Sequence, residues 1–122
     1  MHLQKEAGER KVTIWGDGTA RREFMYASDL SDLICFCLDK YQFVPEEMNT
    51  GHGIDFSVLE YYSMIAEAIG FECEYFFDTT KPTGMKQKLV DIARQTELGW
   101  KPPTEIRTGL DNTYSYFLST NG

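Results

Sequence analysis

Cysteine, histidine and long apolar runs are all scarce in this chain of 122 residues. The three cysteines, Cys35, Cys37 and Cys73, are odd in number and show no Cys-x-x-Cys spacing. That pattern argues against a disulfide framework or a thiolate metal site and leaves buried free thiols as the expected reading. The two histidines, His2 and His52, have no obvious partner, and His52 in N-T-G-H-G-I-D reads as a loop residue. No apolar run approaches the ~20 residues of a membrane span, and the opening MHLQKEAGER is too polar for a secretory signal. A soluble, cytoplasmic protein is expected, with no membrane partner.

Basic charge is also in short supply. Twelve Lys and Arg face nineteen Asp and Glu, a net charge of −7. An acidic body of this kind disfavours nucleic acid and anionic membrane as partners. The distribution is uneven, however. Residues 1–22 hold five basic and three acidic side chains, residues 23–80 hold one and twelve, and residues 81–101 turn basic again with Lys81, Lys86, Lys88, Arg94 and Lys101. If these two basic islands converge, they suit a compact anion such as a diphosphate; the alternative is solvated surface charge.

An apolar share of 42% is enough for an ordinary core, and a chain of this length buries roughly two thirds of its unfolded surface. One domain over residues 1–122 is expected, of mixed α/β (α+β) class, with three to four helices and short strands. Residues 1–11 read as a frayed or helical lead-in. V-T-I-W and R-E-F-M-Y read as two strands joined by Gly16-Asp17-Gly18-Thr19, a β-hairpin. The Gly-x-Gly pair fails as a dinucleotide fingerprint because Arg21 stands where the third glycine is needed.

Ser28 is a candidate N-cap for a helix to about Tyr41, with Leu30, Leu33, Ile34, Phe36, Cys37 and Leu38 at helical spacing. E-M-N-T-G is a candidate short strand. Ser57 and Glu60 form a capping box for a helix that Gly70 ends. E-C-E-Y-F-F alternates like a strand, Asp78 to Lys88 is an irregular loop of the length that often carries function, and Asp91 to Leu98 is a short helix ended by Gly99. Thr104 is a candidate cap for the last helix, with Ile106, Leu110, Thr113, Tyr114 and Phe117 inward.

Reaction machinery is missing from the pattern. There is no Gly-x-Ser-x-Gly, P-loop or His-Glu-x-x-His, and none of the seven tyrosines is followed four residues on by lysine. No catalytic, cofactor-binding or metal-ligating residue is therefore assigned.

The segments VTIWGDGTARREFMYASDLSDLICFCL, MNTGHGIDFSVLEYYSMIAEAIGFECEYFFDTTKPTGMKQKLVDIAR and LGWKPPTEIRTGLDNTYSYFL nonetheless resemble the C-terminal part of the GDP-L-fucose synthase family. The resemblance runs from about Lys11 to Leu118, with W-G-x-G-T-x-x-R-E-F, F-D-T-x-K-P-x-G and L-G-W in the family's order. It implies an extended short-chain dehydrogenase/reductase, in which an N-terminal Rossmann half holds NADP and the catalytic Ser/Tyr/Lys set. A smaller C-terminal domain covers a GDP-sugar that is epimerised and reduced. This chain would then be the substrate-binding domain without the Rossmann half, inactive by itself and holding no cofactor of its own.

By the same resemblance Trp15 and Arg22 are substrate contacts, an apolar ring and a guanidinium fork for diphosphate. Adjacent strand positions point Arg21 and Arg22 to opposite faces, so one of the two is expected to serve. Lys88 matches a basic position of the family, and Gln87 stands where arginine is common. Thr83 replaces the aspartate of K-P-D-G. A hydroxyl cannot supply a carboxylate acceptor, a loss of about 1.5–3 kcal/mol where nothing compensates. Three further readings stand beside this one: a Rossmann partner chain, a free-standing protein that buries its bare face as a homo-oligomer, and a domain of another nucleotide-sugar epimerase.

Overall fold

A computed structural model describes residues 1–121. Strand β1 (Lys11–Trp15) pairs in parallel with β4 (Glu74–Asp78), Val12 opposite Tyr75 and Trp15 opposite Asp78. A second sheet has the order β3-β2-β5, built from Arg21–Arg22 (β2), Phe56–Ser57 (β3) and Gln87–Lys88 (β5). Strand β2 runs antiparallel to β3 and parallel to β5. The helices are α1 (His2–Glu6), α2 (Ala27–Asp39), α3 (Val58–Ala68), α4 (Ala93–Leu98) and α5 (Ile106–Asn121), with a 3-10 turn at Tyr41–Phe43. The class is α/β as expected, though the described residues hold five α-helices rather than three or four.

The core forms where alternation in β1 turns Val12 and Ile14 inward. Val12, Ile69 and Phe71 make a buried cluster, with Tyr62, Ile65, Tyr75 and Tyr114 packed around it. Helix α3 starts as its sequence dictates. Glu60 N–H donates to Ser57 Oγ at 3.1 Å, and Ser57 N–H donates to Glu60 Oε2 at 2.6 Å. At its other end Gly70 takes φ 61°, and Lys5 Nζ donates to the Ile69 carbonyl at 2.6 Å.

The hairpin does not form. Gly16 (φ 79°) and Gly18 (φ 75°) make the tight turn, but the chain leaves β1 for the second sheet. Backbone carbonyls of Gly18 and Ala20 accept from Leu59 and Val58 N–H, so the turn seats on the start of α3. Helix α2 begins at Ala27 with Tyr26 at the N-cap, not at Ser28, and of its apolar residues only Leu33 is buried. The Asp29 carboxylate in its first turn accepts from Thr104 N–H and Oγ, which diverts Thr104 from capping α5. The segment E-M-N-T-G forms no strand. The free cysteines are not buried: Cys35 is exposed, and Cys37 and Cys73 are half-buried. His2 does have partners, with Nδ1 3.1 Å from Tyr114 Oη and its ring edge-on to Phe117.

Candidate functional site

The turn after β1 and the loop between β4 and β5 interlock. Trp15 ends β1 and is two-thirds exposed, with Lys81 Nζ 5.7 Å from its ring centroid. A Cβ added at Gly16 would collide with the Thr83 methyl, so this glycine permits both the positive φ and the loop's close approach. One residue on, Gly84 lies against the Arg22 guanidinium, 3.6 Å from a Cβ position to Nη2. The loop is drawn in by Thr80, whose N–H and Oγ donate to Asp78 Oδ1, and by Arg21 N–H, which donates to the Lys86 carbonyl at 2.8 Å.

Strand β5 completes the arrangement. Arg22 stands opposite Lys88 and Arg21 opposite Gln87, so each pair shares a face of the sheet. The two faces differ sharply in charge. On one, Arg21 Nε donates to Asp55 Oδ1 at 2.8 Å and Nη2 to the Asp55 carbonyl at 2.7 Å, while Gln87 Nε2 donates to Asp55 Oδ2 at 2.6 Å. Glu60 lies 3.6 Å from Arg21 Nη1. The Gln87 amide, and after it the Arg21 guanidinium, hold the Asp55 carboxyl below the usual range. Hydrogen bonds from Ser57 do the same for Glu60. On the other face the Arg22 guanidinium donates to its neighbour's carbonyl, Arg21 O, at 2.6 Å. Among the described residues neither Arg22 nor Lys88 has an acidic partner.

The two basic islands of the sequence therefore meet at Arg22 and Lys88, while Lys5, Lys11 and Arg94 engage other parts of the molecule. Trp15, Thr83, Arg22 and Lys88 are linked through Gly16, Gly84 and the β2–β5 register. Arg22 also borders a largely apolar groove of about 750 Å³ lined by Phe24, Tyr61 and Ile65. Tyr61 Oη donates to the Arg22 carbonyl at 3.0 Å, which pins β2 to α3, and burial pushes this phenol's pKa upward.

Two positioning groups escaped sequence reasoning. Glu23 accepts from Gly53 N–H at 2.6 Å and Val90 N–H at 3.0 Å, fixing the chain on both sides of the sheet. Asp55 is the other. Glu23 stands in the stretch read as a strand, where nothing local marks its long-range partners, and Asp55 stands in a loop that looks the same as solvated chain.

Comparison with known proteins bears on this geometry. Residues 1–51 match the NAD dependent epimerase/dehydratase family. Over 121 residues the chain is 45% identical to GDP-L-fucose synthase of Azorhizobium caulinodans, covering 99% of this chain and 39% of that protein. This chain resembles a segment of the GDP-L-fucose synthases. GDP-L-colitose synthase of Yersinia pseudotuberculosis is 41% identical over 93% of the chain and 37% of its own length. A solved GDP-6-OMe-4-keto-L-xylo-heptose reductase from C. jejuni superposes with a TM-score of 0.84 at 28% identity, over 98% of this chain and 38% of that one. The chain thus spans under two fifths of the length of these GDP-L-fucose synthase relatives, and its fold is that of the matching part.

Proposed function

We propose that this chain is the nucleotide-sugar-holding part of a GDP-sugar epimerase/reductase, acting as one unit over residues 1–122. Arg22 and Lys88 receive the diphosphate, and Trp15 supplies a flat wall beside it. The observation that carries this reading is the asymmetry of β2. Arg21 is neutralised by Asp55, whereas Arg22 and Lys88 stand side by side on the opposite face, without a counter-ion among the described residues. Like charges on neighbouring strands repel, and an anion between them removes the penalty. The curated relatives named above are GDP-sugar enzymes, which makes a GDP-sugar the ligand of choice.

The residues present do not fit a dinucleotide, because the Gly16–Gly18 turn runs into β2 and not into a helix N-terminus. Hydride transfer, which NADP supplies in such enzymes, is assigned to polypeptide outside this chain. Helix α2 supports that division. Leu30, Ile34, Leu38 and Tyr41 recur at helical spacing along it and into the following turn, and lie 42%, 53%, 68% and 70% exposed. A stripe this wide is unusual on a free surface. The stripe falls within residues 1–51, and more than half of each relative's length is absent here, so the remainder of the enzyme is its occupant.

Calorimetric titration with GDP-fucose tests the binding claim. Weak binding is expected, and Arg22→Ala should lower affinity about tenfold or more, as loss of a charge-assisted contact does. Absence of heat at millimolar ligand with the fold intact would overturn it. Light scattering tests the stripe: a concentration-dependent dimer abolished by Leu38→Glu would assign it to a second copy instead.

A further inference from the structure

Strand β5 is two residues long and carries Lys88 directly beside Arg22. So short a strand has little backbone pairing to resist the repulsion between two neighbouring cations. Something else must hold it. Glu23 accepts from Val90 N–H just beyond the strand, and on β5 itself the Gln87 side chain donates to Asp55, which is 8% exposed. One of its oxygens accepts from Gln87 on β5 and the other from Arg21 on β2, so a single carboxylate ties the two strands together.

We infer that Asp55 is the positioning residue of the anion site: it clamps β5 to β2 from behind and thereby sets the separation of Arg22 and Lys88, which it does not touch. The inference rests on the proposed anion site for its consequence, but the clamp itself is a property of the ligand-free protein. It explains why a buried carboxylate is shared between a cation and a neutral amide. The Gln87 amide supplies the tether to Asp55 without a charge of its own. Glu60, from α3, adds a weaker contact to the same guanidinium across 3.6 Å. Arg21, Glu60 and Gln87 are the polar groups facing Asp55 from β2, α3 and β5.

Hydrogen exchange of the ligand-free chain, followed at the amides of residues 86–88, reads the clamp directly. Asp55→Ala, which removes the acceptor of both the Arg21 and the Gln87 side chains, should speed exchange there at least tenfold while the α3 amides keep their protection. Gln87→Met, at an exposed position that does not threaten folding, should do so by about threefold to tenfold. Exchanging the two groups, Asp55→Asn with Gln87→Glu, puts the amide on one side and the carboxylate on the other, and should restore most of the protection. Inorganic pyrophosphate affinity should fall with the single changes and recover with the exchange, a pattern that a general loss of stability would not give. Unchanged exchange in both single variants, or failure of the double variant to recover while the chain remains folded, would overturn the clamp. If the unaltered protein binds no pyrophosphate, the anion reading falls, and the exchange rates still decide whether the clamp exists.

Discussion

The two sheets of this molecule are held by different forces. The β1–β4 pair is five residues long on each strand and backed by a core of Val12, Ile14, Ile69 and Phe71. Removal of apolar surface from water holds it, without dependence on any single polar contact. The β3-β2-β5 sheet has strands of two residues and is held by named polar groups, Asp55, Glu23 and Tyr61 Oη among them. The first sheet is a platform. The second places charge, and its precision comes from directional bonds that can each be removed one at a time.

Four measurements would break or sharpen that contrast. The largest effect belongs to the platform: Ile14→Ala, at a fully buried position, should cost about 2–5 kcal/mol in urea unfolding. A cost below 1 kcal/mol would mean that the β1–β4 sheet is not where stability resides. Next comes the seam between the sheets. Gly16→Ala meets both a positive φ and the Thr83 methyl, so a loss of about 1–3 kcal/mol is expected, and adding Thr83→Ser should return only the steric part. Third, Ser57→Ala removes the capping box that joins β3 to α3 and should cost about 1 kcal/mol, whereas Ser28→Ala, outside any cap, should be neutral within about 0.5 kcal/mol.

The mildest effect is on pH. Asp55 and Glu60 both have folded-state pKa values below their ordinary ones, so each contributes stability above the unfolded value that is lost as pH falls through the folded value. As pH falls below the ordinary carboxyl values of 4.5 for Glu60 and 3.8 for Asp55, the amides of β5 should therefore lose protection before those of β4 do. Since the Arg21 side chain is 41% exposed, solvent screens the pair and the overall stability change stays small. Simultaneous loss in both sheets would erase the distinction drawn between them.

How much of this was legible depends on the range of each signal. The capping box at Ser57 and Glu60, the stops at Gly70 and Gly99 and the alternating strand near Glu74–Asp78 are local, and all were found. The hairpin failed because turn chemistry at Gly16 and Gly18 specifies a reversal but not the strand's partner, and β1 pairs some 60 residues downstream. The helical spacing in α2 was real, yet a periodic stripe says only that a face is apolar, and in this chain most of that face is bare. Trp15, Arg22, Thr83 and Lys88 were singled out through family resemblance, and the fold joins them along one path of contacts; Glu23 lies inside the quoted W-G-x-G-T-x-x-R-E-F stretch without an assigned role, and Asp55 has no local signature.

By itself, then, the order of residues settled what short-range physics controls: where helices begin and end, which positions alternate, and that Arg21 and Arg22 must face opposite ways on a strand. Which of those two arginines is neutralised was decided only in three dimensions, by a carboxylate 34 positions away that reaches one face and not the other. Backbone geometry repeats every few residues and is written locally, whereas the pairing of charges depends on distances that exist only once the chain has closed on itself.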